Sequence, residues 1–266
     1  PCYIINIEGI DKMIYDLQKA SFLKRVSAFL LDLILLVILI TGFAWGVSSA
    51  LNFAENSNEL DTIISGYEEQ FDLNFSISYD EYDAMTEEQK AYFNECYDKV
   101  VKDERYTQLT NMIFYSLLTI VSLSFFLSHL VLEFIVPLLF KNGQTIGKKI
   151  FSIAVMRIDG VKVNPTIMFV RTILGKYTIE LMIPTIILLM MRFGVGSIVT
   201  LGVVILIALF EIILVIATKT NSFIHDVISS TVVVDLQSQM IFDSVEAKKE
   251  YQLRIHSEEA KNSKYF

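Results

Sequence analysis

Four carboxylic acids stand inside otherwise apolar stretches of the chain: Asp32, Glu133, Glu180 and Glu211. A carboxyl group in an apolar environment can hold either a proton or a cation, and this choice is the minimal chemistry of proton-coupled exchange. Asp32, Glu133 and Glu211 are the candidate exchanging groups. His129 stands one helical turn before Glu133 and is a candidate proton relay.

Basic residues that could neutralise these acids come from other segments of the chain. Arg25 and Asp32 are seven residues apart, about 10 Å along a helix, which is too far for a direct ion pair. Asp32 needs a partner from elsewhere, because an ionised carboxylate left unpaired in hydrocarbon costs at least about 2.5 kcal/mol. The candidate counter-charges are Lys148, Lys149, Arg171 and Lys176.

A purely structural interpretation of the same charges stays open. The acids and bases could tie apolar helices together at one membrane interface without exchanging anything. The opposite halves of the apolar stretches offer only hydroxyl groups as polar side chains, such as Thr41, Ser48 and Thr119. A transporter built from this chain would therefore need a second copy, a partner protein or a hydrated route along those hydroxyls.

The apolar segments that carry these charges indicate a membrane protein. The chain of 266 residues is 53% hydrophobic and 20% charged, which is less charge than a soluble domain normally has. About 20 apolar residues cross a hydrocarbon layer of roughly 30 Å. We expect four transmembrane spans, in segments 21–50, 110–140, 165–192 and 196–217. The third segment begins with charged residues, so its start should lie at the membrane interface.

The distribution of Lys and Arg predicts the orientation, because basic loops stay in the cytosol. Residues 1–28 contain four basic residues, and residues 141–176 contain seven against the single acid Asp159. The tail from Thr218 contains six more. Four spans with both termini in the cytosol satisfy this pattern.

The segment 51–109, between the first two spans, is strongly acidic. It has fifteen acidic against four basic residues. Thr86 and Gln89 fit a helical capping box, and we expect two or three small helices outside the cytosol. Such an insert could be a solvated surface without a task, an antechamber that attracts cations, or a docking site for a basic partner.

Residues 141–164 are expected to form a cytosolic amphipathic element followed by a β-hairpin. Asp159-Gly160 would turn between strands at Ala154–Ile158 and Val161–Val163. Thr231–Val234 would add a short strand against this hairpin.

The rest of the chain carries no recognisable catalytic pattern. Residues 1–20 form a cytosolic N-terminal segment, and residues 218–266 form a closing element and a charged tail. Nothing in the sequence resembles a metal-ligand cluster, a nucleophile with its base or a nucleotide-binding loop. We therefore expect no enzyme, no metal, no cofactor and no nucleic-acid partner.

Three stretches resemble the RDD family of membrane proteins. The first is Lys24-Arg25-Val-Ser-Ala28-Phe-Leu-Leu-Asp32, with an arginine before the first span and an aspartate seven residues later. The second runs from Gly143 to Gly160 and the third from His225 to Val234. The family is named for one arginine and two aspartates, which correspond here to Arg25, Asp32 and Asp226. The resemblance covers roughly residues 21–50 and 110–235.

This resemblance implies a bacterial, multi-pass cell-membrane protein, and some members of the family are described as sodium/proton antiporters. We expect an all-α membrane protein, a four-helix transmembrane bundle with a small cytosolic β-hairpin and an extracytoplasmic helical insert. The expected function is transport, with exchange of a monovalent cation such as sodium for a proton. The alternative is a non-catalytic accessory or assembly subunit that binds a partner through its acidic insert. Expected partners are the lipid bilayer, monovalent cations, and a second copy or another membrane protein.

Overall fold

Among the residues that the computed structural model describes, four helices are long and apolar enough to cross a membrane, which confirms the predicted class of all-α membrane protein. The structure describes residues 17–192 and 198–262. The predicted N-terminal segment up to residue 16, the predicted start of the fourth span at residue 196, and residues 263–266 lie outside this part. The four helices are α1 (Phe22–Ala50), α5 (Glu104–Leu139), α7 (Pro165–Met191) and α8 (Ile198–Ala217).

The described chain divides into two compact units. One extends up to Val37 and resumes at Ser128, and the other is Ile38–Leu127. Shorter elements complete the order: α2 (Phe53–Phe71), α3 (Tyr79–Asp83), α4 (Glu87–Lys102), α6 (Ile146–Ile150), β1 (Ile153–Arg157), α9 (Ile224–Ile228), β2 (Thr231–Asp235) and α10 (Val245–Asn262).

The unit Ile38–Leu127 contains the acidic insert, whose small helices α2, α3 and α4 agree with the predicted two or three. The predicted capping box is confirmed, since Thr86 Oγ1 accepts from the Gln89 N–H and Gln89 Oε1 accepts from the Thr86 N–H. On α4 the buried side chains are Phe93, Cys96 and Val100. Their spacing of three and four residues places them on one helical face, where they form the apolar side of the insert.

The other unit contains a two-stranded antiparallel sheet in which β1 pairs with β2, with Val155 opposite Val233. Apolar side chains are buried on both faces of this sheet, which explains why both strands are continuous apolar runs. The chain turns at Asp159-Gly160 as expected, but the residues after the turn form isolated bridges instead of a strand, Lys162 with Met156 and Val161 with Phe242. The expected strand at Thr231–Val234 is confirmed, since β2 pairs with β1.

Two of the long helices contain π-helical stretches, Leu130–Ile135 in α5 and Val170–Met182 in α7. Asn164 caps α7 by accepting a hydrogen bond from the Ile167 N–H, and Pro165 occupies its first position. A π-helical turn changes the direction of the side chains that follow it. Both stretches lie where the apolar helices carry their charged residues.

Candidate functional site

Asp32 is buried in α1 and is held by hydrogen bonds from a neutral hydroxyl and a backbone amide. Its carboxylate accepts from Thr145 Oγ1 at 2.5 Å and from the Gly147 N–H at 2.8 Å. Both donors belong to the start of α6, where helix N–H groups attract a negative charge. Within the described residues no Lys or Arg forms an ion pair with Asp32. The predicted counter-charges therefore do not pair with it directly.

Glu133 lies in the π-helical stretch of α5 and binds two lysines. Its carboxylate accepts a hydrogen bond from Lys176 Nζ, and Lys148 Nζ lies 3.8 Å from it. Burial lowers the pKa of Lys148, and the neighbouring Lys176 and Arg171 act in the same direction, against the opposing effect of Glu133. Two of the predicted counter-charges thus neutralise Glu133.

Arg171 and Asp226 form the most deeply buried ion pair of the described residues. Arg171 donates to Asp226 Oδ1 and to Thr231 Oγ1, and the Phe223 N–H donates to Asp226 Oδ2 at 3.2 Å. Burial alone would raise the pKa of Asp226, but Arg171 and then His225 outweigh it and lower the pKa to about 2. Arg171, predicted as a partner of Asp32, joins α7 to α9.

His225 and Glu180 form a second link between α9 and α7. Glu180 Oε1 accepts from the His225 N–H at 2.7 Å, and both Glu180 oxygens lie 2.8 Å from His225 Nδ1. Burial lowers the pKa of His225, with Arg171 adding to this effect, although Asp226 and Glu180 oppose it. Burial therefore favours the neutral ring, and in the tautomer that carries its proton on Nδ1 the ring can donate to Glu180.

Glu211 of α8 differs from the other acids because its Oε1 is buried without a hydrogen-bond partner among the described residues. Its carboxyl faces that of Glu180 and the backbone N–H of Ile224. Two carboxylates side by side repel each other, so one of them needs a proton or a cation. Sequence reasoning noted Glu180 as a membrane carboxylate but assigned no role to it or to His225.

Three further predicted residues, Arg25, Lys149 and His129, make other contacts. Arg25 donates to the backbone carbonyls of Asn221 and Val233 at 2.8 Å each, so it fastens α1 to β2 and to the chain after α8. Lys149 Nζ lies 3.9 Å from the ring centre of Phe140. His129 is buried, with its ring 5.3 Å from that of Tyr177.

A cavity of about 480 Å³ joins these groups. Phe22, Phe29 and Phe223 contribute aromatic surface to its wall. The charged lining consists of Arg25, Asp32, Glu133, Lys148, Arg171, Lys176, Glu180, Glu211 and Asp226, with His225 beside them. The structure thus brings together three predicted acids, three predicted counter-charges and the family's arginine and second aspartate, but not His129 or Lys149.

Arg25, Asp32 and Asp226 all lie within the part of the chain that matches a known protein family. No curated protein and no solved structure matches the chain. The family model described as RDD family matches residues 19–230, which is most of the chain and includes all three of these charges. The chain therefore belongs to the RDD family of membrane proteins.

Proposed function

We propose that this protein is a membrane transporter that exchanges a cation for a proton at the cavity carboxyls. The observation that carries the proposal is the position of Glu211, whose buried Oε1 has no donor among the described residues and whose carboxyl faces Glu180. A proton on Glu211 removes the repulsion between the Glu211 and Glu180 carboxylates. When that proton leaves, the two carboxylates together attract a cation in its place.

The other acids of the cavity are less suited to exchange because they already have strong partners. Asp32 accepts from Thr145 and Gly147, and Glu133 binds Lys176 and Lys148. Removing a partner from a buried charge costs several kcal/mol of stability, roughly 3–5 kcal/mol. Asp32 and Glu133 therefore keep their partners and stabilise the packing of the helices around the cavity. The proposal therefore shifts the exchanging role from Asp32 and Glu133 to Glu211.

His225 gives the proton a route between the Glu211 pair and the end of the membrane helices. Its neutral ring donates to Glu180, and its Nε2 lies 3.8 Å from Asp226 Oδ2. Protonation of the ring would place a positive charge between two carboxylates, which favours the brief passage of a proton.

The location follows from the sequence and belongs to the same proposal. The protein would lie in a cell membrane with both termini in the cytosol, because its basic segments flank the cavity end of the spans. The far halves of the spans carry few charges, so we propose that a second copy or a partner completes the route.

A second candidate function is that of an accessory or assembly subunit. Two observations favour it: most cavity charges are neutralised within the chain, and the insert carries fifteen acids against four bases. A basic partner would bind the insert, and the ion pairs would only hold the helices.

Proton movement in inside-out vesicles distinguishes the two candidates. We expect a sodium or lithium pulse to release protons from vesicles with the wild-type protein, and Glu211→Gln to reduce the rate at least tenfold. The control is Glu250→Gln, the same change at an exposed position of α10, which should leave the rate unchanged. If the wild type moves no protons and copurifies with a fixed partner, the accessory function is correct and exchange is wrong.

A further inference from the structure

We infer that the cavity binds an amphipathic organic cation, with its charged group at Glu211 and Glu180 and its apolar body against the phenylalanine wall. This inference rests on the proposed exchange and names a class of substrate for it. Size, lining and charge of the cavity each support it.

The size of the cavity fits an organic molecule better than a bare metal ion. A volume of about 480 Å³ falls within the range of roughly 300–1,000 Å³ that is typical of small-molecule sites. A sodium ion alone would leave most of this space to water. Among the described residues no group of three or more acidic, His or Cys side chains is arranged to hold a metal ion.

The lining has the chemistry that an amphipathic cation needs. Phe22 and Phe29 of α1 and Phe223 before α9 line the cavity, together with Val26 and Val215. Aromatic rings attract cations through their faces and also cover apolar groups. The site thus combines an aromatic and aliphatic surface with charged groups.

The acid pair of the cavity favours a cation over an anion. Lys148 and Lys176 are engaged with Glu133, and Arg171 is engaged with Asp226. Arg25 donates to backbone carbonyls, and its buried Nε has no hydrogen-bond partner among the described residues. The Glu211 and Glu180 pair holds the charge that lacks a full set of donors. An entering anion would meet this pair and be repelled, whereas a cation replaces the proton with no change in net charge.

The route of entry also favours a molecule with an apolar body. Phe22 is 73% and Phe29 55% exposed on the surface of a helix that is long and apolar enough to span the membrane. Both residues line the cavity as well, so the cavity wall continues into the surface that faces lipid. An amphipathic cation concentrates at an anionic membrane surface and can enter from there.

Binding of radiolabelled tetraphenylphosphonium to the purified full chain in detergent tests the inference. We expect saturable binding that releases about one proton per bound cation. Binding should weaken as the pH falls, because protons compete with the cation for Glu211. The titratable groups that face Glu211 are Glu180, His225 and Asp226. Glu211→Gln should weaken binding at least tenfold, and Phe29→Ala about tenfold. Glu250→Gln and Phe114→Ala, changes of exposed residues that do not line the cavity, should have no effect.

The outcomes separate this inference from the proposed exchange. Absence of saturable binding, or equal binding by the wild type and a folded Glu211→Gln, overturns the inference, while sodium-driven proton movement would still support exchange. Proton release on binding to the wild type supports the inference even if Glu211→Gln fails to fold. Binding with proton release, but without proton movement in vesicles for any cation, supports the site and overturns exchange.

Discussion

Asp226→Asn should lower the free energy of unfolding by about 3–5 kcal/mol, because it leaves the Arg171 guanidinium buried without its anion. Asp226 is only 1% and Arg171 only 3% exposed, so both charges of the pair are largely desolvated. The pair joins α7 to α9, and Arg171 also binds Thr231 at the start of β2. Denaturant unfolding in detergent, followed by circular dichroism, measures the change.

Asp243→Asn is the matched control for this variant. Asp243 pairs with Lys162, but its side chain is exposed, so solvent screens the interaction and we expect almost no change in stability. An Asp226→Asn variant as stable as the wild type would contradict the buried pairing.

The ion pair between Arg171 and Asp226 predicts that the free energy of unfolding decreases at low pH. The pKa of Asp226 is lowered from 3.8 to about 2 in the folded protein. A group with a depressed folded pKa stabilises the fold above its unfolded pKa, and this stabilisation is lost as the pH falls from about 4 through about 2. Asp226→Asn should show less of this loss than the wild type does.

Gly147→Ala should lower the free energy of unfolding by at least about 2 kcal/mol, since overpacking against backbone is costly. A Cβ at this position would lie 2.3 Å from the Ala28 carbonyl oxygen and 2.9 Å from the Asp32 carboxyl carbon. The helix α6 would have to move away from α1. This movement would also break the hydrogen bond from the Gly147 N–H to Asp32. Denaturant unfolding in detergent measures the resulting loss of stability.

Gly202→Ala provides the comparison for this glycine. Gly202 lies within α8, and no side-chain or distant backbone atom lies within 4 Å of its expected Cβ. Alanine also has the higher helix propensity. We expect Gly202→Ala to match or slightly exceed the wild type in stability, and equal losses in both variants would disprove the close contact of α6 with α1.

The membrane helices could be predicted from the sequence because their signal is local. About 20 apolar residues are enough to indicate a span, wherever the span lies in the fold. The capping box at Thr86 is local in the same way, since all its atoms belong to four consecutive residues. These features depend on the spacing of residues within a short segment and not on contacts with other helices or strands.

The pairing of the charges could not be predicted in this way. Asp32 and Thr145 are 113 positions apart, and Arg171 and Asp226 are 55 apart. Which groups meet depends on the rotation of each helix, and the π-helical stretches in α5 and α7 change that rotation locally. The sequence therefore indicated a cluster of acids and bases, but Arg171, one of four candidate partners of Asp32, pairs with Asp226.

The small sheet was predicted in part. Asp159-Gly160 is a good turn sequence, and the expected strand at Thr231–Val234 does pair with β1. The residues after the turn form only isolated bridges, Lys162 with Met156 and Val161 with Phe242. β2 is a longer apolar run than these residues and its side chains are buried on both faces of the sheet, so burial of apolar surface favours its continuous pairing with β1.

Glu211 is the residue on which the proposed exchange depends, and infrared difference spectroscopy can observe its proton directly. Adding sodium or tetraphenylphosphonium at constant pH should remove the carbonyl band of one protonated carboxyl group from the wild-type spectrum. We expect this band to be missing in Glu211→Gln and retained in Glu250→Gln. A wild-type spectrum that changes with neither cation, or the same change in Glu211→Gln, would contradict exchange at Glu211.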